Sequence, residues 1–352
     1  MGKVQLPEGY SAGHVEDIRN ASDGFIADIH AFKAQIKAEG RPGEPAEPLH
    51  DVANGIRLLP SEMEDWSYEV REDRSGELVG LARGGVERTG CNEHLFWFDP
   101  EVLPEHRRRG IGRWLLAQAT EAALSAGTET FSGWTTSRVP AGEHFARSFE
   151  AEARMVHRES ELHLTTIDWD LVDRWVGEGP ARAPGYSLEL TEGVYPESHY
   201  DDVIAWWEIM NTAPRDNLDW NDDHLTKERL AEWEAQFAAS SGSRWEYVAR
   251  HLESGACVGV TNVWFADWNP SIIHQGDTGV HPDHRGHALG KWLKAAMLQK
   301  IRAERPQARV IRTGNAYSND AMLGINNALG FKESSADTAW QLPVERAQKL
   351  LS

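Results

Sequence analysis

Cysteine is scarce in this sequence of 352 residues. Cys91 and Cys257 are its only two, one in each half of the chain. Two distant thiols cannot build the disulfide framework of a small secreted domain, and such low cysteine use is typical of a reducing compartment. We therefore expect a cytoplasmic protein with two buried thiols.

Long apolar runs are also missing. No stretch approaches the roughly 20 apolar residues that cross a bilayer, and the first residues lack the apolar segment of a signal peptide. The sequence therefore predicts no membrane association.

Basic residues are in deficit, with 36 Lys and Arg against 55 Asp and Glu and a formal net charge of −19. Such a field repels polyphosphate backbones, which argues against a nucleic-acid partner and favours a cationic one. The 15 Trp and 10 Phe supply bulky core side chains, so the chain should be globular. Its length exceeds what one hydrophobic core usually supports, which predicts two domains.

The sequence repeats itself once. Residues 102–115 read VLPEHRRRGIGRWL and residues 280–293 read VHPDHRGHALGKWL, so that matching residues lie 178 positions apart. An offset of about half the chain indicates a duplicated domain. Gly and Pro in residues 176–185 predict a linker, which gives domains at 1–178 and 185–352.

Hydrophobic periodicity predicts the same order of elements in both copies. Antiparallel-looking strands lead into the repeated motif, and a long helix, a strand, a short helix and a last strand follow it. The opening of the first copy predicts a vestigial strand at residues 4–6 and a helix within residues 16–38.

The repeated motif is a strand ending in Val-x-Pro, followed by Arg-x-x-Gly-x-Gly or Arg-x-x-Ala-x-Gly at the start of a helix. It resembles the pyrophosphate loop Arg/Gln-x-x-Gly/Ala-x-Gly/Ala of the GNAT superfamily of N-acetyltransferases. A diphosphate at a helix N-terminus meets unpaired N–H groups and the positive end of the helix dipole, and small residues let the backbone approach. The dinucleotide-binding fingerprint fits less well, because no βαβ unit opens either copy.

This resemblance covers nearly all of the chain and implies an α/β fold. Two tandem GNAT-like domains are expected, each a mixed, mainly antiparallel twisted sheet flanked by helices, in an arrangement similar to that of mycothiol synthase and related tandem acetyltransferases. The implied cofactor is acetyl-CoA. The residues that the resemblance assigns to it are Val102, Arg107, Arg108, Arg109, Gly110, Ile111, Gly112 and Arg113 in the first copy, and Val280, Arg285, Gly286, His287, Ala288, Leu289, Gly290, Lys291 and Asn319 in the second.

A second resemblance lies in residues 315–331, which include Asn319, Met322 and the run NNALGF. In the superfamily the segment N-x-x-A-x-x-x-Tyr-x-x-x-Gly-Phe lies beside the thiol of CoA, and its Tyr often gives a proton to the leaving thiolate. The second copy carries Asn326 at the Tyr position, and we expect Phe145 there in the first copy. The usual general acid is therefore missing from both.

A base is suggested by the histone-acetylating members of the superfamily, which place a carboxylate eleven residues before the motif Arg or Gln. The same count gives His274 in the second copy and Phe96 in the first. Histidine can accept a proton near neutral pH and Phe cannot, which favours catalysis in the second copy. An equal alternative for His274 is a half-buried His that only forms hydrogen bonds. Asp277 lies on the same strand and Asp99 occupies the equivalent position in the first copy, so we expect a shared structural role for these two carboxylates.

An acceptor site is expected in the polar loop at residues 211–224, where Asp216, Asp219 and Trp220 would suit a cationic amine. A solvated loop is the alternative. His281, His284 and His287 recur every third residue, but the segment is the phosphate loop itself and lacks acidic or thiol ligands, so we predict no metal.

The function expected from these features is transfer of an acetyl group from acetyl-CoA to a primary amine of a small molecule, by direct attack in a ternary complex. The chain would act as a monomer or a homodimer. Three alternatives stay open: acylation by the first copy as well, a non-catalytic module that binds acyl-CoA as a sensor or structural ligand, and a phosphate-binding scaffold unrelated to CoA.

Overall fold

The computed structural model describes residues 4–352, which divide into two compact units. Unit one contains the described residues up to Val156 together with Asn217–Asn221 and Asp337–Ser352. Unit two contains His157–Asp216 and Asp222–Ala336. Each unit therefore takes segments from both halves of the sequence, unlike the contiguous domains expected from the repeat.

The elements follow one another in the order that the repeat predicts. The strands are β1 (Tyr10–Val15), β2 (Met63–Glu72), β3 (Leu78–Glu87), β4 (Leu95–Val102), β5 (Thr130–Thr136), β6 (Glu152–His163), β7 (Tyr186–Glu192), β8 (Gly242–His251), β9 (Cys257–Ala266), β10 (Ile272–Val280), β11 (Val310–Ala316) and β12 (Lys332–Pro343). The α-helices are α1 (Asp23–Gly40), α2 (Leu49–Arg57), α3 (Ile111–Ala126), α4 (Pro140–Ser148), α5 (Trp169–Arg182), α6 (Tyr200–Met210), α7 (Lys227–Ala238), α8 (Leu289–Glu304), α9 (Asp320–Leu329) and α10 (Val344–Leu351).

Unit one contains a sheet in the order β1-β2-β3-β4-β5-β12, to which β12 contributes Asp337–Pro343. Neighbouring strands are antiparallel except β4 and β5, which run parallel. The register of β4 with β5 covers Leu95–Trp97, and beyond it the two strands part. Helix α3 packs on β2, β3 and β4, and α10 packs on α3.

Unit two repeats this layout with β6-β11-β10-β9-β8-β7, in which β10 and β11 are the parallel pair. Helix α8 packs on β8, β9 and β10, and α5 packs on α8. One difference is a bulge on β10 between Gln275 and Thr278, where the register with β9 shifts. Two mixed, mainly antiparallel sheets with flanking helices confirm the predicted fold class.

Two predictions of local structure are wrong. Residues 4–6 form no strand, and the first strand begins at Tyr10 after a turn. Pro7 has no N–H to donate to a ladder, which ends any pairing there. The predicted linker at residues 176–185 is largely the last part of α5, which continues through Pro180 to Arg182 because its buried face packs in the core of unit two, to which the helix belongs.

Within residues 4–352, no helix combines the length and the apolar character that a membrane span requires.

Candidate active site

The two copies of the motif share one local structure. A single 3-10 turn, Pro104–His106 or Pro282–His284, ends the preceding strand. The hydroxyl of Tyr10 lies 2.9 Å from Nδ1 of His106, and the hydroxyl of Tyr186 lies 2.9 Å from Nδ1 of His284. Each unit thus ties its first strand to the turn that leads into the motif.

The motif arginines stabilise the loop from within. Nε of Arg107 donates to the carbonyl oxygen of the valine five positions earlier at 2.8 Å, and Arg285 makes the same bond at 3.0 Å. Arg107 also forms a two-pronged ion pair with Glu39, at 2.7 and 2.6 Å, and Arg285 donates to Thr212 Oγ1 at 2.9 Å. Both guanidinium groups therefore bond to oxygen atoms of the protein, a role that the motif alone did not predict.

The loop backbone passes through two left-handed positions in each copy. The φ angle is +61° at Arg108 and +97° at Gly110, and +88° and +61° at their counterparts Gly286 and Ala288. Such turns before the unpaired N–H groups of a helix start form a concave set of donors for an anion. Ala288 carries a Cβ in a conformation that costs about 1–2 kcal/mol, and Gly110 avoids that cost.

The last glycine of the motif packs against the short helix that follows. A Cβ on Gly112 would lie 2.9 Å from the ring of Phe145, and one on Gly290 would lie 3.3 Å from Ile325. The residues before them, predicted as cofactor ligands, are buried in the hydrophobic core. These are Ile111 and Leu289, 1% and 2% exposed.

A cavity of about 930 Å³ opens at the motif of unit one. Its walls are the loop with the first turn of α3, the part of β4 from Phe98 onward, β5 from Phe131 onward, helix α4 and part of β12. It therefore lies where β4 and β5 part, and its volume is in the range of about 300–1,000 Å³ that ligand pockets occupy. The predicted residues that line it are Val102, Arg107, Arg108, Gly110, Ile111, Gly112 and Arg113.

Several of the predicted cofactor residues make contacts within their own unit. Nη1 of Arg109 donates to the hydroxyl of Tyr10 at 3.0 Å, and Nη2 of Arg113 donates to a carbonyl oxygen of α10 at 2.8 Å. In unit two the ring of His287 packs on Tyr186, Lys291 lies over Trp175, and Asn319 caps α9.

The short helices α4 and α9 end in the same way, which fixes their correspondence. At the end of α4 the N–H of Ala151 donates to the carbonyl oxygen of Ala146 at 3.1 Å, and at the end of α9 the N–H of Phe331 donates to that of Asn326 at 3.0 Å. Glu150 and Gly330, one residue before each donor, take the left-handed conformation. Ala146 is therefore the counterpart of Asn326. The prediction that Phe145 stands there was wrong by one residue, because Phe145 turns toward the motif glycine.

The bulge on β10 changes the counterpart of His274. β4 pairs with β3 without a shift, whereas β10 holds one extra residue between Gln275 and Thr278. His274 therefore corresponds to Trp97 and not to Phe96, as its position in the parallel pairing also shows. The side chain of His274 is exposed. Trp97 cannot accept a proton either, so the difference between the copies persists.

Glu246, Asn262 and Asp277 form a polar cluster on one face of the unit-two sheet, beside the bulge. The N–H of Asp277 donates to Asn262 Oδ1 at 3.0 Å, and the Asn262 side chain bonds to Glu246. Burial raises the pKa of Glu246 to about 7 and also raises the pKa of Asp277. His274 shares this face, because its partner on β9, Trp264, lies two residues from Asn262.

Further contacts hold Glu246 in place. The hydroxyl of Tyr195 donates to Glu246 Oε2, and the N–H of Tyr195 donates to Glu234 Oε2 at 2.6 Å. Arg244 donates to the same Glu234 oxygen at 2.7 Å and stacks on the Tyr195 ring. A fixed carboxyl with a pKa near 7 can take up or release a proton at neutral pH. The sequence signal was a charged residue at an inward position of an apolar strand.

Lys294 is a second buried group that lies outside the sequence motifs. It is 2% exposed, and its Nζ donates to Asn326 Oδ1 at 2.7 Å. Nδ2 of Asn326 in turn donates to Asn315 Oδ1 at 2.7 Å. Burial lowers the pKa of Lys294 to about 7. The sequence signal was a lysine where the repeat has an apolar residue. Lys294 lies 178 positions after Leu116, on the buried face of the helix.

The three residues predicted for the acceptor are divided between the units. Asp216 belongs to unit two, whereas Asp219 and Trp220 belong to unit one. The carboxylate of Asp219 lies 3.3 Å from Nε2 of His94, and its N–H donates to Gln341 Oε1 at 3.0 Å.

Among residues 4–352, no group of three His, Cys, Asp or Glu side chains is placed to hold a metal ion. Of the three histidines at the second motif, His284 bonds to Tyr186, and burial lowers its pKa.

Comparison with known proteins agrees with this geometry. The model of the acetyltransferase (GNAT) family matches residues 38–149 and 203–331. A tandem GNAT protein from the clavulanic acid biosynthesis pathway superposes with a TM-score of 0.76 at 26% identity, covering 95% of this chain and 99% of that one. The predicted tandem arrangement is thereby confirmed. No curated protein sequence gives a significant match.

More distant structures share the fold. A GCN5-related N-acetyltransferase from Sphaerobacter thermophilus superposes with a TM-score of 0.65 at 14% identity, covering 97% of each chain. The N-myristoyltransferase of Saccharomyces cerevisiae, solved with myristoyl-CoA, gives 0.60 at 13% identity, covering 97% of this chain and 80% of that one.

Proposed function

The chain belongs to the acetyltransferase (GNAT) family, and we propose that it transfers an acetyl group from acetyl-CoA to a primary amine of a small molecule. The observation that carries this proposal is the loop of unit one, whose left-handed turns border the 930 Å³ cavity at a helix start. Acetyl-CoA supplies a thioester carbonyl, and its diphosphate fits the N–H donors of both loops. The free thiols Cys91 and Cys257 suit a reducing, cytoplasmic compartment.

We assign the chemistry to unit two, with direct attack by the acceptor nitrogen while both substrates are bound. His274, or Glu246 on the same face of the sheet, takes a proton from the acceptor ammonium, which leaves a free amine to attack the thioester carbon. The carboxyls of Glu246 and Asp277, and the ring of Trp264 on the same strand as Asn262, also suit a cationic acceptor. Asp216, Asp219 and Trp220 remain a predicted acceptor contact. Unit one, with Trp97 in place of His274, binds acyl-CoA in its cavity without transferring the acetyl group.

A module that binds acyl-CoA without catalysis is the second candidate. The absence of Tyr at Ala146 and Asn326 favours it, since both copies lack the usual proton donor.

The proposal is tested with one added carboxylate in each loop. Gly290→Glu should lower acetyl transfer at least about 100-fold, because a negative side chain at the start of α8 repels the diphosphate. Gly112→Glu should reduce the number of CoA molecules bound but leave transfer in place. Calorimetry measures binding, and thiol release with polyamines, aminoglycosides and amino acids measures transfer.

Gly177→Glu adds the same charge at an exposed position of α5 with no atom within 4 Å of the new Cβ, and it should behave like the wild type. Loss of transfer in Gly112→Glu but not in Gly290→Glu would move the chemistry to unit one. Binding of CoA with no thiol release from any acceptor would favour the binding module.

A further inference from the structure

Lys294 and Asn326 lie at positions that face the cavity in the other copy. The motif offset pairs Lys294 with Leu116, and the matching ends of α4 and α9 pair Asn326 with Ala146. Leu116 and Ala146 both line the cavity at the unit-one motif. The equivalent wall of unit two therefore carries a hydrogen-bonded ammonium and amide in place of two apolar side chains.

The ammonium of Lys294 has unused hydrogen-bonding capacity. An ammonium carries three N–H donors, and within residues 4–352 the structure gives Lys294 one hydrogen bond, to Asn326. The ring of Phe331 lies 5.3 Å from Nζ, and the polar groups beyond Asn326 belong to Asn315, which is uncharged. Burial alone, with no contribution from a neighbouring carboxylate, lowers the pKa of Lys294.

Such a lysine is costly for the fold. Burying an ammonium without an anionic partner opposes folding, and apolar side chains of similar size are usually more stable. Leu116 shows that the same helix position accepts an apolar side chain in this chain. Buried groups with shifted pKa values that line a cleft are concentrated at functional sites. The ammonium therefore needs an explanation beyond packing.

We propose that Lys294 gives the proton to the sulfur that leaves during acetyl transfer in unit two, the task of the Tyr that both copies lack. As the acceptor nitrogen bonds to the acyl carbon, the carbon–sulfur bond breaks and its electron pair stays on sulfur. Lys294 breaks one N–H bond toward that sulfur, which becomes a thiol, and its nitrogen keeps the electron pair. The proton lost by the acceptor returns through solvent to Lys294. Asn326 is the positioning residue. This inference rests on the proposed function.

The test rebuilds the unit-one wall in unit two with the double variant Lys294→Leu and Asn326→Ala. Affinity for CoA should stay within about threefold, whereas kcat should fall about 100-fold, in the range of one lost acid catalyst. Thiolate absorbance gives a readout without turnover. An ammonium lowers the pKa of a neighbouring thiol, so CoA bound to the wild type should ionise at lower pH than CoA bound to the double variant.

A single variant, Lys294→Gln, guards against a folding defect, because its amide can still donate to Asn326 but has no proton to transfer. It should lose turnover like the double variant while melting as a folded protein. Lys332→Gln, which removes an exposed lysine, is the matched control and should match the wild type.

Wild-type turnover and an unshifted thiol titration in Lys294→Gln would overturn the role of Lys294 while leaving the acetyltransferase proposal intact. If the wild type acetylates no amine, the proposed function fails. Even without acetylation, a pKa of the CoA thiol that is lowered on the wild type and not on Lys294→Gln would support contact between the ammonium and the sulfur.

Discussion

At the scale of single residues, Glu246 shows how unit two keeps a proton where an ordinary carboxyl would lose it. The side chain is 3% exposed, and desolvation raises its pKa from 4.5 to about 7 against the opposing effect of its hydrogen bonds. Between these two pH values the folded protein holds a proton on Glu246 that the unfolded chain has released. The contribution of Glu246 to stability therefore falls as the pH rises through this interval.

Replacing Glu246 with Gln tests this sign. The variant has no proton to lose, so its free energy of unfolding minus that of the wild type should be about 3 kcal/mol larger at pH 8 than at pH 4. Urea unfolding of both proteins at the two pH values measures the difference. Glu253→Gln removes an exposed carboxyl of the turn after β8 and should show no such trend. A pH-independent difference for Glu246→Gln would mean that this carboxyl has the same pKa in the folded and the unfolded chain.

At the scale of elements, helix α5 shows packing overriding local propensity. Its last turns contain Gly177, Gly179 and Pro180, a composition that predicts a linker. The helix nevertheless persists, because Val172 is fully buried on the face that packs on α8 and Gly179 lies flat against Trp292. The apolar contacts of one face outweigh the low helix propensity of a few residues at its end.

Two glycines of this helix provide a matched pair of variants. A Cβ on Gly179 would lie 2.5 Å from the Trp292 ring, so Gly179→Ala should destabilise the protein by about 1–3 kcal/mol. A Cβ on Gly177 meets no atom within 4 Å, so Gly177→Ala should stabilise it by about 0.5–1 kcal/mol through helix propensity. Thermal unfolding of both variants measures the two changes in stability. Equal shifts would mean that α5 does not pack closely on α8.

The contrast between local sequence signals and packing also explains which features could be predicted from the sequence. The strand, loop and helix of each motif follow from local signals, namely Val-x-Pro, the small residues and the helical periodicity, and they were predicted correctly. The counterpart of His274 was not, because a bulge depends on the neighbouring strand and leaves no mark within β10 itself. Glu246 and Lys294 were missed for a related reason, since their importance comes from burial that only the packed unit reveals.

At the scale of the whole molecule, each compact unit is completed by a segment from the other half of the chain. Asp337–Pro343 of β12 pairs with β5 in unit one, and α10 packs on α3. In unit two, His157–His163 of β6 pairs with β11, and α5 packs on α8. Periodicity identified these strands but could not show which sheet each one joins, because β5 in unit one and β11 in unit two are equivalent partners for an antiparallel strand.

This exchange predicts how the chain behaves when cut in two. The half-chain 1–178 lacks the last strand of unit one and the apolar side chains of Leu342, Val344 and Leu351, which are buried in its core. Each is worth about 1.5–3 kcal/mol, so their sum is comparable to the total stability of about 5–15 kcal/mol of a typical protein. The half-chain 185–352 lacks the strand beside β11. Each half alone should therefore give no cooperative melt by circular dichroism, whereas the two halves expressed together should form one complex that melts cooperatively. A cooperative transition in either isolated half would show that its sheet is stable without the exchanged strand, and the contiguous domains expected from the repeat would then be the true folding units.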